Sequence, residues 1–150
     1  MKRNILAGFI IALIVAGAAY AQFSKPDHAI KYRKSVMFLI AQHFGRMGAM
    51  VKGETPYQAD DFAQNAAVVD MLAGLPWEAF MAPGTDKGDT TMSTAVLQQP
   101  AKFKAAVASF EAETSKLADV AEDGNLDAAK AQFGKVAQNC KSCHTEFRVK

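Results

Sequence analysis

The chain has 150 residues, half of them hydrophobic, which suits one compact core rather than two. Its 17 basic and 15 acidic side chains leave a formal net charge of +2, too slight a field to gather nucleic acid or anionic lipid. The two cysteines, Cys140 and Cys143, stand three apart, where a bridge would close almost no loop and stabilise little. Their use is expected to be chemical.

Lys2 and Arg3 open the chain, residues 5–18 form an apolar run, and Ala19-Tyr20-Ala21 is a small-residue cleavage pattern. Residues 1–21 therefore read as a secretory signal peptide, with Gln22 as the mature N-terminus. A membrane anchor would need about 20 apolar residues, and Gln22, Ser24, Lys25 and Asp27 follow too soon. Cleavage removes two basic residues and no acidic one, so the mature charges balance. Residues 22–150 are expected to act in the periplasm, without membrane attachment.

Four segments with helical periodicity follow, and none alternates as a strand does. The first covers residues 26–51, with Pro26 suited to a first turn and Gly53 beyond its end. Ile30, Met37, Ala41, Phe44 and Val51 are its expected inner stripe. The adjoining arc of Ala29, Val36, Leu39, Met47 and Met50 widens the apolar surface beyond one core seam. That excess predicts a homodimer formed through this helix. A second helix is expected over residues 59–75, stopped by Pro76, with Phe62, Ala66 and Val69 on one face. Residues 76–97, rich in Gly, Pro, Thr and Asp, make a long connection with a short helical turn near 77–80. A third helix spans 100–121, with Phe103, Val107, Phe110, Thr114 and Leu117 aligned. Asp123-Gly124-Asn125 turns the chain back into a fourth helix over 126–147. One long and two short connections predict an all-α, antiparallel four-helix bundle.

The fourth helix ends in Cys140-Lys141-Ser142-Cys143-His144, the C-x-x-C-H pattern of covalent haem attachment. Positions i, i+3 and i+4 share a helix face. Both thiols can then form thioethers with one haem c while His144 offers its imidazole to the iron as axial ligand. A structural zinc site needs four ligands, and only His28 and His43 remain outside the cluster. A thioredoxin-like dithiol would sit beside a βαβ unit, which this pattern lacks. An exported dithiol or metal-binding module is the non-haem alternative.

With this motif in place the chain resembles the cytochromes c′, a class II family of c-type cytochromes. The likeness rests on Cys140 to Arg148, on Ala29-Ile30-Lys31-Tyr32-Arg33-Lys34-Ser35, and on Leu75-Pro76-Trp77-Glu78-Ala79-Phe80 with Pro83-Gly84-Thr85. The resemblance implies a high-spin, five-coordinate haem with His144 as the one protein ligand. It also implies nitric oxide and carbon monoxide binding, a dimeric state, and a role in nitric oxide handling or electron transfer with an unknown redox partner. No constellation for turnover is visible, so an enzyme is not expected.

Other residues carry two readings each. Arg33, in register with the inner stripe, either snorkels or pairs with a haem propionate, as the resemblance favours. Arg148, one turn past His144, is either an exposed helix-end cation or, by the resemblance, lies over the proximal haem face. Trp77 and Phe80 close the core, around the haem if the resemblance holds. By the resemblance Met37, on the inner stripe, stands at the distal position: unligated in a gas-binding protein, or the sixth ligand of a low-spin electron carrier. Met47, Met50, Met71 and Met81 read as gap-filling side chains.

Overall fold

The structure is a computed structural model that describes residues 22–149; the expected signal peptide lies outside the described residues. Four long helices carry it: α1 Pro26–Lys52, α2 Ala59–Ala73, α5 Pro100–Glu122 and α6 Leu126–Phe147. Two four-residue helices, α3 Glu78–Met81 and α4 Ala95–Gln98, lie in the long connection. α1 packs on α2, α2 on α5 and α5 on α6, the arrangement of an antiparallel four-helix bundle.

Local chemistry explains the boundaries. Pro26 and Pro100 occupy first turns, where a missing N–H costs nothing. α1 ends at Gly53, whose φ of 75° is open to glycine without strain; Gly53 N–H donates to Met50 O at 3.1 Å. Gly124, at φ 67°, makes the turn into α6, and the Asn125 side chain caps that helix by accepting from Ala128 N–H at 3.0 Å. α2 stops at Ala73, two residues before the expected end, because Gly74 and then Pro76 end the helical backbone.

The main core joins Val36, Ile40 and Met47 of α1 to Phe62, Ala66 and Val69 of α2, Phe110 and Leu117 of α5, and Ala129 and Val136 of α6. A second cluster closes one end of the bundle: Met92, Val96, Phe103 and Phe147, with Trp77, Phe80 and Cys143 packed against it.

The register of α1 departs from the expected one. Its buried residues are Ala29, Ile30, Arg33, Val36, Ile40, Met47 and Gly48, whereas Met37 is half-buried and Ala41 exposed. α1 packs far more closely on α2 than on α6, so the face turned to α2 is the one covered. Ala29, Val36 and Met47 thus belong to the core and leave the expected dimer surface. Met47 fills the core as expected, but Met71 and Met81 are exposed and fill no gap.

Phe62 is fully buried. Phe62→Ala is expected to lower stability by about 3–5 kcal/mol through lost transfer energy and a residual cavity, measured by denaturant unfolding.

Candidate functional site

α6 brings the motif to the second cluster. Cys140 and Cys143 are free, half-buried thiols one helical turn apart, the first against the main core and the second against Phe103 and Phe147. Burial pushes both thiol pKa values up, so each sulfur is held as neutral thiol. A reactive dithiol wants the opposite shift. Among the described residues no group of three or more His, Cys, Asp or Glu side chains is arranged to hold a metal ion. His144 follows in the last turn of α6; partial burial, then the Arg148 guanidinium, hold its imidazole below the usual pKa. Neutral imidazole is the form that binds a metal.

Five aromatic rings stand beside these residues. Trp77 lies 6.0 Å from Phe80, 6.1 Å from Phe103 and 5.9 Å from Phe110, centroid to centroid. Phe103 meets Phe147 edge-on at 5.2 Å. The α5 periodicity put Phe103 and Phe110 on the inner face, but nothing in the sequence assigned them to the site.

Arg33 reaches the same region from α1. It is 3% exposed, which rules out snorkelling. Nη1 donates to Ala79 O at 3.0 Å; Nη2 donates to Thr85 O at 2.6 Å and to Thr90 Oγ1 at 2.7 Å. The guanidinium carbon lies 4.6 Å from the Phe80 ring centroid. All of these partners are neutral, and no carboxylate pairs with Arg33 among the described residues. Next to it, Lys34 holds Asp89 by an ion pair of 2.7 Å. Thr85 and Thr90 escaped the sequence reading because loop hydroxyls carry no periodic signal.

Met37 stands one turn after Arg33, half-buried, and Arg148 is exposed just past α6. The two other histidines lie elsewhere: His28 pairs with Ser24 at 3.1 Å and His43 with Asn65 at 2.8 Å.

The sequence profile described as cytochrome c′ matches residues 28–148. The chain belongs to the cytochrome c′ family. The cytochrome c′ of Rubrivivax gelatinosus is 45% identical over 130 residues, covering 86% of this chain and all of that one. Two solved structures of cytochrome c′ from Alcaligenes xylosoxidans are 41% identical with TM-scores of 0.80, and each covers 86% of this chain. One, matched over 99% of its length, is a nitric oxide complex of a leucine-to-alanine variant; the other, matched in full, is a carbon monoxide complex of a leucine-to-glycine variant.

The cofactor of a cytochrome c′ is haem c, and two features of this site fit it. Trp77 Nε1 is buried without a hydrogen-bond partner, a vacancy that costs free energy unless a further acceptor meets it. Arg33 is a buried cation with no carboxylate partner among the described residues, and a haem propionate carries the charge type it lacks.

Arg33→Met strips the donor from three acceptors at once. It is expected to lower stability by about 3 kcal/mol and to speed amide exchange across residues 79–90, read by hydrogen-exchange mass spectrometry.

Proposed function

We propose that residues 22–150, freed of the leader 1–21 and exported to the periplasm, form a gas-binding haem protein rather than an enzyme. Cys140 and Cys143 hold the haem through two thioethers, and His144 is its only axial ligand from the protein. The carrying observation is the placement of all three on the last turns of α6, with Cys143 packed against an aromatic cluster that includes Trp77, whose indole N–H has no partner. Bound there, the haem supplies an iron that takes diatomic ligands. The side chains would do the rest: Arg33 and Trp77 would offer donors to its carboxylates, and Phe80, Phe103 and Phe147 would exclude water. The nitric oxide and carbon monoxide complexes of the Alcaligenes protein support the same ligands here.

Met37 is the distal residue in this reading and leaves the iron open. As a thioether it has no hydrogen to donate, which disfavours dioxygen relative to nitric oxide and carbon monoxide. Mass spectrometry of the mature chain is expected to show one covalent haem, lost in a Cys140→Ala/Cys143→Ala variant. The reduced protein is expected to be high-spin and to shift its absorption promptly with carbon monoxide. A low-spin spectrum converted to high-spin by Met37→Leu would instead make the protein a His/Met electron carrier.

The chain is further proposed to pair with a second copy through α1. Phe38 is 61% exposed and Leu39 is 44% exposed, beside Asp27, Lys31, Lys34 and Asp89 around a cleft of about 580 Å³. An apolar pair flanked by both charge signs is self-complementary under a twofold axis. Light scattering is expected to give a dimer at micromolar concentration and a monomer for Phe38→Glu/Leu39→Glu; a monomeric wild type would reject the pairing.

A further inference from the structure

Two adjacent threonines stand between two arginines from opposite ends of the described chain. Thr90 Oγ1 accepts from Arg33, and Thr91 Oγ1 accepts from Arg148 Nε at 3.2 Å. The loop around them runs antiparallel to the residues that follow α6. Ser93 N–H donates to Phe147 O and Val149 N–H donates to Thr91 O, both at 2.9 Å, and Met92 bridges Arg148. Successive side chains of extended backbone point to opposite faces. That alternation lets one dipeptide hold a buried arginine with one hydroxyl and an exposed one with the next.

Arg148 has itself left the helix, with φ −124° and ψ 132°. Its direction is therefore set by the clasp and by Thr91 rather than by the α6 register. The adjacent carboxylate, Glu146, is taken by Lys102 at 2.6 Å, and no ion pair reaches Arg148 among the described residues. A positive charge with no ion-pair partner among the described residues is thus held at the end of the helix that carries His144.

We propose that Thr91 is a positioning residue for Arg148, and that through this contact the loop of residues 91–93 raises the reduction potential of the haem. The proposal rests on the haem reading above. Reduction brings in one electron from an electrode or mediator and lowers the charge at the iron by one. A fixed cation nearby favours that reduced state. A guanidinium freed from Thr91 samples positions farther from the α6 end and loses influence, because the interaction weakens with distance and is largely screened beyond about 10 Å at ordinary salt. Potentials of bound haem respond to their surroundings in this way.

The test is spectroelectrochemical titration of the holoprotein at low salt in five forms: wild type, Thr91→Val, Thr91→Ser, Arg148→Gln, and Thr91→Val/Arg148→Gln. Arg148→Gln is expected to lower the potential, Thr91→Val to lower it by part of that shift, and Thr91→Ser to restore it. The double variant is expected to match Arg148→Gln alone, since a hydroxyl that acts through the guanidinium has nothing left to hold. Neither backbone bond of the clasp uses the Thr91 side chain, so amide exchange at Ser93 and Val149 is expected to stay slow in Thr91→Val. A wild-type potential in Thr91→Val, additive shifts in the double variant, or fast exchange at those two amides would each overturn the proposal and leave the haem reading standing. A mature chain without covalent haem would overturn both.

Discussion

A single buried cation organises the end of this bundle. Arg33 cannot shed its charge, and burial makes every one of its donors expensive to leave unmet. Three of its five are met by Ala79 O, Thr85 O and Thr90 Oγ1, acceptors spread across the long connection between α2 and α5. A segment of that length would otherwise wander over the surface. Instead it is drawn onto α1, and α3 is held where Phe80 lies under the guanidinium. The Lys34–Asp89 pair is exposed and contributes little by comparison.

From that anchor the rest of the site follows by contact. Fixing residues 79–90 places Trp77 and Phe80 against Phe103, and it delivers Thr91 to Ser93 to the backbone just beyond α6. α6 is thereby gripped at both ends, by the Asn125 cap at its start and by antiparallel pairing past its finish. The motif residues sit on a helix whose C-terminal turn would fray if left to itself. Stability and placement of the functional side chains are therefore one problem here.

The four long helices were legible because each repeats apolar residues over many turns, and proline and glycine mark their limits. The Cys140, Cys143 and His144 cluster was legible because its spacing has one strong chemical use. The face of α1 was not. Apolar residues cover two adjoining arcs of that helix, and periodicity cannot say which arc meets α2; Ala29, Val36 and Met47 proved to be core, while Phe38 and Leu39 lie outside. Residues 76–97 were less legible still. Their order comes from hydrogen bonds between a distant arginine and loop carbonyls, and such partnerships leave no periodic trace. Trp77 and Phe80 could be singled out as aromatics, but Thr85, Thr90 and Thr91 look like any other polar loop residues.

The raised pKa values of Cys140 and Cys143 bear on the timing of maturation. Folding half-buries both sulfurs, Cys140 on the main core and Cys143 against Phe103 and Phe147, and keeps them protonated, whereas an extended chain leaves them wet and closer to their ordinary acidity. On the attachment proposed above, bond formation at these sulfurs is easiest in the nascent, still-open polypeptide and becomes slow once α6 docks. A chain that collapses first would shelter its own attachment points. The same half-burial that fits these sulfurs against the cores makes the order of assembly matter.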